Sequence, residues 1–90
     1  MNLQDALFNW LQIRIVAEAR PDDQAAQETK QFFEDILRED HKLDEFSVTS
    51  DETMYRIKYG SGEQRKLQMF DRESAEQLLS DINSNPKYNE

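Results

Sequence analysis

The apolar residues of this chain change their spacing twice, and that change limits the possible fold more than any other feature. Between Ala25 and Leu37 they recur at three and four positions (Ala25, Ala26, Thr29, Phe32, Phe33, Ile36 and Leu37), the repeat of a helix with one apolar face. Further on the repeat shortens to two. Tyr55, Ile57 and Tyr59 alternate with Met54, Arg56 and Lys58, as in a strand buried on one side. After Asp71 the longer spacing returns with Ala75, Leu78, Leu79 and Ile82. Helices before and after a block of strands joined by short turns predict an α+β fold with an antiparallel sheet.

Residues 2–19 read as the first helix, with Asn2 as its N-cap, Asp5 in the first turn and Leu3, Leu7, Trp10 and Leu11 on one stripe, ending at Arg20-Pro21. Within it Leu11, Ile13 and Ile15 alternate with Gln12 and Arg14, which is also a strand pattern; good helix formers on both sides favour the helix. Pro21-Asp22-Asp23 supplies a turn and a cap for a second helix from 24 to about 41. A connection this short makes the pair an antiparallel helical hairpin. Strands are expected at 45–50, 53–59 and 63–70, turning at Asp51-Glu52 and at Gly60-Ser61-Gly62. A three-residue loop at the second turn sets Tyr55 opposite Leu67 and Ile57 opposite Arg65, keeping the apolar set on one face. Asp71 caps the last helix, and Asn83-Ser84-Asn85-Pro86 stops it. Residues 1–86 then form one domain in the order α-α-β-β-β-α, with 87–90 a frayed tail.

Ninety residues suffice for one small core. The chain has no cysteine, which removes disulfides, thiolate zinc sites and thiol nucleophiles and suits a reducing cytoplasm. Its apolar N-terminal stretch follows Asp5 and is broken by Asn9, Gln12, Arg14 and Glu18, so neither a secretion signal nor a bilayer span is expected, and the location expected is cytoplasmic. A net charge of −8 works against nucleic acid and anionic membranes. The charge is uneven, however: Arg56, Lys58, Arg65 and Lys66 face only Glu63 among the strands from 53 to 70, so the sheet is basic and the helices acidic.

Arg14 and Glu18 stand out because, at about 100° per residue, they fall beside Leu7 and Leu11 on the apolar arc of the first helix. In one account the helix outruns a small core and its long side chains reach water. In another its C-terminal half, with Trp10, Ile13 and Ile15, is a contact surface for another chain. A specific form of the second is a two-fold homodimer in which Arg14 of one copy meets Glu18 of the other. On this reading Glu28, Glu34 and Asp35 form an acidic rim that speeds encounter with a basic partner protein.

The alternative is a nucleic-acid-binding module. Arg56, Lys58, Lys66 and Phe70 are expected together on the solvent face of the sheet, and basic groups among exposed apolar ones can form a single-strand platform. The order helix, three antiparallel strands, helix over residues 23–83 also resembles double-stranded-RNA-binding domains. That resemblance implies topology alone: the family's basic cluster at the start of the last helix is here Arg72-Glu73-Ser74-Ala75-Glu76, and the loop that would enter a minor groove is the acidic Asp51-Glu52.

For metal or acid–base chemistry the densest cluster is Glu34, Asp35, Glu39, Asp40, His41, Asp44 and Glu45. Its spacing scatters the side chains around a hydrated helix end, with His41 well placed near the C-terminal dipole. No nucleophile elbow, phosphate loop or dinucleotide fingerprint is present, so neither catalysis nor a cofactor is expected. The function expected is that of a small acidic regulator or adaptor that binds a basic protein.

Overall fold

A computed structural model describes residues 1–84. The chain runs α1 (Leu3–Ala19), α2 (Gln24–Asp35), a π-helical turn (Ile36–Asp40), β1 (Glu45–Ser50), β2 (Met54–Ser61), β3 (Gln64–Asp71) and α3 (Arg72–Ser84). This is the α-α-β-β-β-α order of the α+β class that the changes of period predict. The tail expected at 87–90 lies outside the described residues.

Each helix starts where a short polar side chain can hold an otherwise unpaired backbone N–H. Asn2 Oδ1 accepts from Asp5 N at 2.8 Å, Asp23 Oδ1 from Ala26 N at 3.0 Å, and Asp71 Oδ2 from Ser74 N at 2.9 Å. At the far end of α1, Arg20 N donates to Val16 O, and the Gln27 side chain reaches across from α2 to Ala17 O at 3.0 Å. The second helix widens after Asp35 into the π turn, where His41 N bonds Ile36 O. Lys42 then takes the left-handed conformation at φ 58°, and Leu43 N closes onto Leu37 O at 3.0 Å. Both leucines are thereby drawn into the core.

The sheet has the order β1-β2-β3, antiparallel throughout. Phe46, Val48, Tyr55, Ile57, Tyr59 and Phe70 share the face that packs on the helices, around a core of Leu7, Trp10, Leu11, Leu37 and Ile57. Trp10 meets Phe46 edge to face, and Phe8 meets Phe70 at 5.1 Å. A second cluster lies among the helices, with Ile13, Val16 and Ala17 of α1 against Ala26 of α2 and Leu78, Leu79 and Ile82 of α3. Helix α1 is therefore covered by the sheet near its start and by its sister helices near its end.

The pairing of β2 with β3 corrects the sequence reading. The loop is not the three residues Gly60–Gly62 but the two-residue turn Gly62-Glu63, closed by Ser61 opposite Gln64. Gly62, at φ 63°, supplies the positive φ that a tight hairpin needs at its first central position. Tyr55 consequently faces Phe70, and Ile57 faces Gln68, where Leu67 and Arg65 were expected. The helix side gains the larger ring of Phe70, while Leu67 and Met69 turn outward.

Candidate functional site

The residues expected to anchor a partner through α1 are covered by the protein itself. Trp10 is 3% exposed, Ile13 and Ile15 each 9%, so the far side of α1 is not bare, which corrects the expectation. Ile13 borders a groove of about 280 Å³ shared with Val16, Ala26 and Ile82. Arg14 and Glu18 do reach water, on the continuation of the Leu7–Leu11 stripe. They pair with each other within one chain at 3.0 Å, and the Arg14 guanidinium lies 5.9 Å from the centre of the Trp10 ring. These long side chains reach water, as the first account expects, but the helix does not outrun its core: Val16 and Ala17 near its end are buried against α2 and α3.

Of the acidic rim, Glu34 is half-buried and accepts the Trp10 indole N–H at 3.2 Å, so it braces α1 against α2. Glu28 and Asp35 remain exposed, and between them stands a residue the sequence reading placed inward. Phe32 is 58% exposed, four positions after Glu28 and three before Asp35, so the three side chains share one helix face. Phe33, packed edge to face on Phe32, takes the inward place instead. Gln24 donates to Glu28 at 3.2 Å and Gln31 to Asp35 at 2.9 Å. These amides orient both carboxylates without neutralising them. Arg38 turns away over the ring of Phe46 at 5.1 Å. The signal for Phe32 was in the sequence: adjacent phenylalanines on a helix sit about 100° apart, and only one can point to the middle of the core.

The basic set expected on the open face of the sheet is divided by the register. Arg56 and Lys58 stand there, together with Met54, Arg65, Leu67 and Met69. Lys66 and Phe70 lie on the opposite face, Lys66 beside Tyr59 and Phe70 against Phe8. Every aromatic residue of the three strands faces the helices, so among the described residues the open face offers cations but no ring on which a base could stack. Arg56 is held by Asp51, and Arg65 by Glu45 at 3.1 Å.

A polar clasp ties the start of α3 to the sheet. Asp51 Oδ1 accepts from Thr53 N and Met54 N, both at 2.8 Å, and its other oxygen holds Arg56. These bonds, the backbone pair first, hold its carboxyl well below the usual carboxylate range. Arg72 reaches the Asp51 carbonyl at 2.8 Å and the Glu76 carboxylate at 2.9 Å, lying over the Tyr55 ring. The Tyr55 hydroxyl donates to the same Glu76 oxygen at 2.6 Å. That bond, then Arg72, lowers the Glu76 pKa, while burial and the carboxylate raise that of Tyr55. All these groups satisfy one another, as a structural clasp requires.

Among the described residues no three His, Asp or Glu side chains are placed to hold a metal ion. His41 lines a recess of about 170 Å³ with Leu3, Leu43, Tyr59 and Lys66, and among the described residues its Nε2 has no hydrogen-bond partner there. No helix among the described residues is long and apolar enough to cross a membrane. Comparison of the chain with protein-family models, with curated proteins and with solved structures gives no match to any of them.

Proposed function

We propose that this protein is a small interaction domain, a regulator or adaptor, that binds a basic partner protein through the outer face of α2 without chemistry. The observation that carries the reading is Phe32, a large apolar side chain left in water between two oriented carboxylates. Aromatic side chains dominate the energy of many interfaces when they enter a pocket, and a charged rim adds mainly to the rate and selectivity of encounter. The fitting partner presents an apolar recess ringed by Lys or Arg. An overall charge of −8 steers such a surface toward this one.

The test is affinity capture from the source cell with the native chain, with Phe32→Ala, and with the double variant Glu28→Lys, Asp35→Lys. All three changes lie on exposed positions, so the fold should survive, which circular dichroism checks. Support would be a basic protein retained by the native chain and lost by both variants. Titration of the purified pair should then show a loss of roughly 30-fold for Phe32→Ala, about 2 kcal/mol. Identical partner lists for the three proteins would overturn the assignment. So would salt-dependent binding of labelled RNA or DNA that Lys58→Glu abolishes and Phe32→Ala leaves intact.

A further inference from the structure

We infer that strand β3 is a self-complementary edge that pairs antiparallel with β3 of a second copy, about a two-fold axis through Gln68, joining two sheets into one of six strands. Among the described residues β3 has a neighbour on one side only, β2. Which backbone groups face outward follows from the hydrogen bonds at its end. Arg72 N donates to Thr53 O, so Thr53 and Arg72 form a bonded pair of the antiparallel ladder. By alternation Phe70, Gln68, Lys66 and Gln64 turn their amides to β2, and Arg65, Leu67, Met69 and Asp71 turn theirs to the free edge. Met54 O and Gly60 O both bond toward the β1 side, which fixes the same alternation independently. Along this edge, Met69 O receives a 3.4 Å contact from the Gln68 side chain. An eight-residue edge that leaves Leu67 52% and Met69 40% exposed is a template for another strand.

The side chains select the second copy as that strand. Turned about Gln68, the outward row Arg65, Leu67, Met69, Asp71 meets its own reverse. Arg65 stands opposite Asp71 of the second copy and Leu67 opposite Met69, and these are the positions whose amides are free to bond. On the other face Lys66 comes opposite the Phe70 ring and Gln68 opposite itself. Opposite charges and apolar pairs facing each other across strands stabilise a sheet. The neighbouring registers lack this match: about Leu67, Asp71 faces Glu63, and about Lys66 two lysines face each other. Arg65 lies half-exposed over Gly60, bonded to Glu45 at 3.1 Å and to the carbonyls of Gly62 at 2.6 Å and Gln64 at 3.0 Å, and it exchanges these surface contacts for Asp71 of the second copy, whose carboxylate keeps one oxygen on Ser74 N. A two-fold contact of this kind closes on itself, so the assembly stops at two. It is small beside a standard interface of about 1,600 Å², and the dimer therefore forms reversibly with concentration.

The chain's lack of cysteine makes the register directly testable. In Gln68→Cys the two sulfurs meet at the axis, at a pair of the closely spaced, non-hydrogen-bonded kind. Under mild oxidation this variant should form a disulfide dimer at least tenfold faster than Thr49→Cys, on the open face of β1. Sedimentation of the native chain should show mass rising from 10.7 kDa toward twice that value with concentration. Leu67→Lys, a change at an exposed position, should weaken that association at least tenfold with an unchanged circular dichroism spectrum. Equal cross-linking rates for the two cysteine variants, a constant monomer mass, or self-association indifferent to Leu67→Lys would each overturn the inference.

Discussion

The two faces of the sheet are made from the same strands, yet they do different work. Toward the helices stand Phe46, Val48, Tyr55, Ile57, Tyr59 and Phe70, closing over α1; away from them stand Ser47, Thr49, Met54, Arg56, Lys58, Leu67 and Met69. An antiparallel sheet covered on one side concentrates its packing energy on that side. The other side is released from the demands of folding. Its residues can then be chosen for charge, for solubility or for meeting another molecule, and Leu67 and Met69 are the large apolar side chains of this face that stay exposed.

If this division is real, truncation on the two faces should differ by an order of magnitude. Ile57→Ala empties a fully buried position at the centre of β2 and should cost about 2–5 kcal/mol. Met69→Ala should change stability by less than about 0.5 kcal/mol at protein concentrations low enough to avoid association. Urea denaturation of the two variants measures both, and comparable losses would erase the distinction. Next in size is Gly60→Ala. A Cβ there would sit 2.2 Å from the carbonyl oxygen of Gln64, a backbone atom that cannot swing aside, so the hairpin must shift at about 1–3 kcal/mol.

What the sequence revealed and what it concealed divide along similar lines. The caps Asn2, Asp23 and Asp71 were legible because capping is local: a short polar side chain before a periodic run is sufficient. The bounds of β1 were legible too, since turn residues enclose one short alternating segment. The β2–β3 register was not. It depends on whether Gly60 or Gly62 starts the turn, a choice that moves the register by three residues and so reverses every side chain of β3. Apolar count alone favoured turning Leu67 and Met69 inward. The preference for Phe70 arises from its contact with Phe8, which lies far away in sequence. Trp10, Ile13 and Ile15 posed the same difficulty, because an apolar helix can be covered by its own chain or by another, and only tertiary placement distinguishes the two.

The clasp at the end of the sheet joins the two faces, since Asp51 holds Arg56 from the open side and Arg72 from the helix side. Tyr55→Phe removes the hydroxyl that binds Glu76 and should cost about 0.5–1.5 kcal/mol in the same urea assay. The acid limb of stability tests the rest. Asp51 and Glu76 both titrate lower in the folded chain than in the unfolded one, so their contribution is complete above the ordinary carboxylate pKa of about 4 and declines as pH falls below it. Thermal unfolding followed from pH 7 to pH 2 should show this decline, and Asp51→Asn should shallow it. An unchanged acid limb in Asp51→Asn would mean that this carboxylate does not tie the faces together.

Apart from Met69→Ala, the smallest expected effect lies at the joint between the helical layer and the sheet. Lys42 is exposed and held at φ 58°, where a side chain costs about 1–2 kcal/mol relative to glycine. Lys42→Gly removes that strain but gives the unfolded chain more freedom, worth about 0.4–1 kcal/mol in the opposite sense. The difference is a gain of about 0.8 kcal/mol, or about 3–6 °C in Tm for a domain of this length. The gain is expected because the left-handed turn is imposed from both sides, with Leu37 and Leu43 buried in one core and their backbones joined by the Leu43 N to Leu37 O bond. A loss in Lys42→Gly would instead mean that the lysine side chain itself supports the joint, and that the passage from helices to sheet is held by its surface as well as by its leucines.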